Sequence, residues 1–416
     1  MSSSLLSITP RQSRMIMLAA SNLSLIFLLA LTASAQVQPA SPPASGPTVK
    51  HAAAALLAGD VKQAETELQA VVRSAPTDVH ALDLLGIIRA QEKREAEAEE
   101  LFEKAIAIQP NFAGAHASLG LLYVQMGKED LAIPQLQESL RLDPGRKDAQ
   151  AALINVWRAQ AHAAAQRDDL EKGLAMLMQA RKLDPTDRDV QYDIGMVTLR
   201  MSLFPDAIEA FDQVVKLRPD DSQALYGLGR AKMALAKFDD AQQIFAHYVQ
   251  LRPADASGHY ALGVTLQALQ RTPDAQAEYE RSIELQPQQT ESYFQLGLMD
   301  LDAGRLGAAA EEFERVLKRA PQHAGALTGM GRVRFGEKKY TEAAILLERA
   351  VASNPELREA HYYLGLADSR LGRKEDSEKE LQIASRIEHQ EVEKHQTVLK
   401  IVDPDQVDVP EIKPNQ

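Results

Sequence analysis

The stretch Gln109–Gly120, "QPNFAGAHASLG", decides the architecture: a proline at 110 and, ten residues on, a glycine at 120 preceded by leucine. The pair recurs along the chain. Prolines stand at 76, 110, 144, 185, 219, 253, 287, 321 and 355, always 34 residues apart except for one interval of 41. Ten residues after them come Gly86, Gly120, Gly195, Gly229, Gly263, Gly297, Gly331 and Gly365, with Ile154 the one exception. Twelve residues before the prolines stand Ala64, Ala98, Ala132, Ala207, Ala241, Ala275, Ala309 and Ala343, with Gly173 in the long interval. Eight residues before them is always a large apolar side chain, among them Phe102, Phe211, Phe245, Tyr279 and Phe313. Registers kept in step over so many periods define a repeat protein.

Each residue type has a physical task. Proline lacks an N–H and pushes its predecessor out of the α region, so it separates helices. A mid-helix glycine costs about 1 kcal/mol against alanine. That cost is offset if the missing Cβ admits a second helix, and the alanine twelve residues ahead of the next proline is the expected neighbour. Large apolar residues at helical spacing fill the space between units. Gly127, Gly304 and Gly372 fall where a turn between two helices is due. Each period therefore reads as helix, short turn, helix.

The stretch "YALGVTLQALQRTPDAQAEYERSIELQP" (Tyr260–Pro287) resembles the tetratricopeptide repeat family in nearly every marked position: leucine-glycine, alanine, an aromatic, a small residue, proline. The resemblance implies an all-α fold, a right-handed superhelical α-solenoid of helix-turn-helix units. About ten units occupy residues 50–391, the first degenerate and the last without its proline. The unit at 147–187 is lengthened by seven residues, close to two helical turns, which predicts a longer first helix rather than a loop. There Ile154 and Gly173 exchange the usual small residues, as if the small partner of the contact had changed sides. Terminal units need polar caps. "SRIEHQEVEKHQTVLK" (Ser385–Lys400) suits a capping helix that ends over 392–400. Residues 36–49 read as a Pro/Ser/Ala linker and 401–416 as a disordered tail.

The chain has 416 residues and no cysteine, which excludes disulfides, thiolate nucleophiles and cysteine-ligated metal. Arg11 and Arg14 precede an apolar run, "LSLIFLLAL" (Leu23–Leu31), and Ala33-Ser34-Ala35 fits a small-x-small cleavage site. Residues 1–35 thus read as a signal peptide cleaved after Ala35, placing the protein in the periplasm or outside the cell. The alternative is an uncleaved N-terminal membrane anchor. No later stretch is long and apolar enough to span a bilayer. The net charge is −12, and becomes −14 without the two signal arginines. Such a surface repels phosphate backbones, so nucleic acid is not an expected partner.

Catalytic and metal patterns reduce to the repeat. "GMGRVRFG" (Gly329–Gly336) has two glycines at repeat positions and no preceding strand. "DLDAGRLGAAAE" (Asp300–Glu311) lacks most of the oxygen ligands of a calcium loop. His389 and His395 are six apart, off the four-residue spacing of a zinc helix. His116, His259 and His361 share the fourth place of their units, which points to structure. Neither a catalytic site nor a cofactor or metal is expected.

The resemblance also implies that first helices line a concave groove, where ligands most often touch the fifth and ninth residues of a unit. Here the fifth place holds Tyr192, Tyr226, Tyr260, Phe294, Thr328 and Tyr362; the ninth holds Met196, Arg230, Val264, Leu298, Arg332 and Leu366. Residues four apart share a helical face. The expected partner-binding residues are Tyr192, Tyr226, Arg230, Tyr260, Phe294, Arg332 and Tyr362, with Arg200 and Arg370 at the edge. The partner is a peptide or protein, the arginines pairing with its carboxylates; a glycan strand stacked on the tyrosines is the alternative. Packing between repeats would use the same aromatics. Lysine is absent from the fifth place, unlike the clamps that hold chaperone C-termini. An exported, non-catalytic interaction scaffold is the function expected, with a carbohydrate-handling groove of envelope assembly or polysaccharide export as the other reading.

Overall fold

The computed structural model describes the backbone of residues 48–402 and side chains to 390. The signal peptide, most of the linker and the tail beyond 402 lie outside the described residues. Twenty helices and no strand are present among the described residues. They divide into two compact units that meet in sequence at Leu217 and Arg218.

In the first unit the helix pairs are α1 (Val49–Leu57) with α2 (Val61–Ser74), α3 (Val79–Gln91) with α4 (Glu95–Ile108), and α5 (Ala113–Gln125) with α6 (Glu129–Leu142). They continue with α7 (Lys147–Gln166) and α8 (Leu170–Leu183), then α9 (Arg188–Arg200) and α10 (Phe204–Leu217). The second unit holds α11 (Ser222–Ala234) and α12 (Phe238–Leu251), α13 (Ala256–Ala268) and α14 (Thr272–Leu285), and α15 (Glu291–Asp302) and α16 (Leu306–Arg319). It closes with α17 (Ala324–Gly336) and α18 (Tyr340–Ser353), then α19 (Arg358–Arg370) and α20 (Lys374–Val402). Each pair is one repeat. Within each unit a helix packs on its repeat partner and on the repeats before and after.

Local chemistry sets the ends of these helices. Asp78, Asp187, Asp221 and Asp255 cap first helices by accepting backbone N–H bonds from the opening turn. Each of the nine repeat prolines sits just past a second helix, where a missing N–H costs nothing.

The glycine contact differs from the expectation. A Cβ on Gly86, Gly195, Gly229, Gly263 or Gly297 would lie 2.6–2.7 Å from the ring of Phe102, Phe211, Phe245, Tyr279 or Phe313. The glycine thus receives the large apolar residue of its own second helix rather than the alanine four residues earlier. Leu136 and Leu347 take the same seat over Gly120 and Gly331. These rings and side chains are buried to 1% or less, as are the alanines. Close packing of this kind leaves no room for a methyl group.

The long repeat also departs from expectation. Its first helix, α7, has 20 residues where α5 and α9 have 13. Counted back from its second helix, however, Ala161 rather than Ile154 takes the glycine's place, twelve residues before Gly173. A Cβ on Gly173 would lie 3.1 Å from the Ala161 carbonyl oxygen and makes no approach to Ile154. The extra turns enter at the start of α7, so the contact with α8 keeps its register, and the small-residue pair is Ala161 with Gly173.

Every turn between paired helices passes through the left-handed region. Glycine does so at Gly59, Gly127, Gly304 and Gly372, but Lys93, Asp168, Ser202, Ala236, Gln270 and Lys338 also do, with φ between 54° and 63°. A Cβ there is strained by about 1 kcal/mol. Ala236→Gly relieves it, though the freer unfolded chain returns part of the gain. Thermal unfolding followed by circular dichroism should show Ala236→Gly more stable by about 0.5 kcal/mol, and Gly127→Ala less stable by a similar amount.

Candidate functional site

The fifth-place aromatics are built on the buried ring of the same repeat. Ring centroids lie 5.8 Å apart for Tyr226 and Phe245, 6.0 Å for Tyr260 and Tyr279, and 6.1 Å for Phe294 and Phe313. The glycine that admits the inner ring is three residues beyond the outer ring on the same helix, so one contact places both. Tilted and edge-on pairs at this separation add about 0.5–1.5 kcal/mol each beyond burial. The outer rings are half-buried. Burial pushes the Tyr226 and Tyr260 phenols upward, and the Arg230 charge partly opposes this at Tyr226.

Neighbouring repeats adapt to these rings. Tyr226 also meets Tyr248, 5.2 Å away, and Gly258 makes room for Tyr248. Phe294 packs 5.0 Å from His323, and Gly325 yields to its ring. The ladder stops at Thr328, a buried residue whose hydroxyl donates to the Ala324 carbonyl at 2.9 Å. Tyr362 is 43% exposed and leans on Tyr363.

The two ninth-place arginines differ. Arg230 is exposed and forms no ion pair among the described residues. Arg332 is engaged: it bonds Glu359 at 2.7 Å, faces Asp302 at 3.5 Å, and lies over the Tyr363 ring. In the second unit Tyr226 and Arg230 stand on α11, Tyr260 on α13 and Phe294 on α15, at the fifth and ninth places of their repeats, while Arg332 serves the packing of its own repeats. Of the edge arginines, Arg370 is exposed, and Arg200 is tied to Asp168 and to the Ala165 carbonyl.

The first unit holds Tyr192, which lies 5.9 Å from Phe211 under the Arg188 guanidinium. Counted from Pro144, the fifth and ninth places of the long repeat fall on Ala151 and Asn155. The register restored by Ala161 puts Arg158 and His162 there instead. Arg158 bonds Asp193 at 2.7 Å, and His162 approaches the same carboxylate at 3.0 Å. The signal was available in the sequence: Gly173 counted back by twelve.

The recurrent histidines are structural. Nε2 of His116, His259 and His361 faces the carbonyl of Pro110, Pro253 or Pro355 at 2.9–3.2 Å. Nδ1 faces Gln135, Glu278 or Glu380, nineteen residues on, tying the preceding proline turn to the repeat's own second helix. Gln191 donates to the Pro185 carbonyl from the same place. Replacing His259 by leucine removes both bonds and should cost about 1–2 kcal/mol; His259→Gln should keep the proline bond and recover about half in chemical denaturation.

Asp83 occupies the fifth place of the second repeat. It is fully buried, and neither oxygen closes a well-formed hydrogen bond. Burial pushes its carboxyl up to about 6, against the Ser118 hydroxyl and the Arg146 charge, with Asp148 adding to the rise. A raised folded-state pKa favours the neutral form, so the folded state loses stability as pH rises from about 4 to 6 and carries the full penalty above that. That penalty is on the order of a few kcal/mol. Asp83→Asn should raise the melting temperature at pH 7 and flatten its fall over that range.

A solenoid of helix pairs with a ring ladder on its first helices defines a helical repeat scaffold. Models described as tetratricopeptide repeat match residues 49–112, 113–146, 158–221, 199–262, 260–324, 294–357 and 328–386, and the chain belongs to that family. The match resumes at residue 158, in the register that Ala161 restores. Human protein O-mannosyl-transferase TMTC3 is 37% identical over 89 residues, 21% of this chain. The chain spans about a tenth of the length of that relative. Among solved structures, YrrB, described as a TPR protein with an unusual peptide-binding site, is 22% identical; the match covers 44% of this chain and 95% of that one at a TM-score of 0.37. The APC/C hetero-tetramer Cut9-Hcn1 is 12% identical, covering 82% and 93% at 0.45. No described helix is long and apolar enough to cross a membrane.

Proposed function

We propose that this protein is an exported, non-catalytic scaffold that holds a peptide or protein partner on the first helices of its second unit. One observation carries the reading: three successive repeats present half-buried rings, each fixed from behind by a buried ring, beside an exposed arginine that forms no ion pair among the described residues. Fixed aromatics lose little conformational freedom on binding, and a guanidinium without a partner has a carboxylate site to fill. Export rests on the N-terminal pattern of two arginines, an apolar run and Ala33-Ser34-Ala35.

Because the rings also pack, their removal tests folding as much as binding. Arg230 is the cleaner probe. Arg230→Glu should leave the melting temperature within about 1 °C and weaken a captured partner about tenfold. Unchanged capture by Arg230→Glu would remove the face from the proposal. Retention on envelope polysaccharide that survives Arg230→Glu but is lost on Tyr260→Leu would instead favour a glycan. N-terminal sequencing of the exported pool should begin at Gln36, and an intact Met1 in the membrane fraction would establish an anchor.

A further inference from the structure

In the first unit two buried carboxylates share one buried guanidinium. Asp83, on α3, is withdrawn from solvent with neither oxygen in a well-formed hydrogen bond. Three groups act on it: the Ser118 hydroxyl on α5, and the Arg146 and Asp148 charges at the start of α7. Arg146 is already engaged. Its Nε lies 3.2 Å from one oxygen of Asp148 and its Nη2 2.8 Å from the other, with the two side chains 6% and 3% exposed. On α3 itself, His80 Nδ1 is buried without a partner among the described residues. Arg89, the arginine of α3, is held by Glu65 of α2, by Glu92 and by Glu97 of α4. Arg146 is therefore the cation that Asp83 has to contend for.

We propose that Asp83, Arg146 and Asp148 form a proton-controlled latch across the first helices of the second, third and fourth repeats. With a proton on Asp83 the buried charge balances. Arg146 stays on Asp148, and the Asp83 hydroxyl becomes a donor that the Ser118 oxygen can accept. Loss of that proton leaves two carboxylates to one guanidinium away from solvent, where an unpaired charge is costly. Arg146 is then drawn toward Asp83, and its hold on Asp148 weakens. The consequence reaches the backbone, because Arg146 is the N-cap of α7 and offers no side-chain capping bond, while Asp148 stands in the first turn. Ala149, Ala152 and Leu153 of the same turns are buried, and α7 packs there on α5. Burial outweighs the opposing hydroxyl and guanidinium and keeps the proton on Asp83 up to about pH 6. The latch is thus closed on the acid side and released as pH rises through about 6.

Amide hydrogen exchange of the full-length chain, compared with Asp83→Asn at each pH, separates opening from the intrinsic pH dependence of exchange. Residues 146–156 should exchange alike in the two proteins at about pH 5, and about tenfold faster with Asp83 present at about pH 7.5. Asp148→Asn frees Arg146 for Asp83, and in urea unfolding it should remove most of the fall in stability between about pH 4 and 6. Exchange no faster than in Asp83→Asn at the higher pH would mean that Asp83 ionises without movement, and would overturn the latch. A fall in stability that Asp148→Asn leaves intact would overturn the change of partner. A fall that survives in Asp83→Asn would place the titration on another group and overturn the assignment altogether.

Discussion

The contact on which the structure depends is between a glycine in each first helix and a ring or leucine in the second. At Gly229 a single methyl group would stand 2.6 Å from the Phe245 ring, so the two helices hold their separation only while that atom is absent. A mid-helix glycine weakens its own helix. The burial of Phe102, Phe211, Phe245, Tyr279 and Phe313 repays that cost, since each is withdrawn almost completely from water. Where the long repeat lacks the glycine, it keeps the constraint in another form. Ala161 and Gly173 bring the two backbones together directly.

The same contact reaches the proposed binding face. The inner ring seated on the glycine supports the outer ring three residues earlier in the helix, and the outer ring is the one a partner would touch. At Tyr226, Tyr260 and Phe294 one side of the ring packs on the inner ring and the half-buried remainder is what the proposed partner would meet. This arrangement explains why the ladder can be rigid without a deep pocket. Arg230, by contrast, is exposed and makes no ion pair among the described residues. The histidine brackets act one residue away: His259 fastens the proline turn to α14, next to Tyr260.

Much of this was legible along the chain. The 34-residue period, the helix pairs, the turns and the fifth-place aromatics all follow from residues at fixed spacing, because each repeat is built mainly from contacts between residues close in sequence. Two readings failed, each for its own reason. Spacing says which residues lie on the same face but not how far a side chain reaches, so alanine was taken as the neighbour of a glycine that a longer ring fills. Counting the long repeat from Pro144 alone hid Arg158 and His162, because an insertion shifts every place downstream of it within the helix.

What the sequence determined by itself is the fold: a glycine, an alanine, a large apolar residue and a proline at set intervals admit no other packing than stacked helix pairs. What only the tertiary structure decided is the state of each side chain on that frame. Arg230 and Arg332 hold the same place in their repeats, yet among the described residues one has no ion pair and the other is bound by Glu359 and Asp302. Asp83 shares the fifth place with the tyrosines but is buried with its carboxyl pushed up to about 6. Burial and pairing depend on neighbours contributed by adjacent repeats, about thirty residues away. Their approach in space is set by packing, not by period.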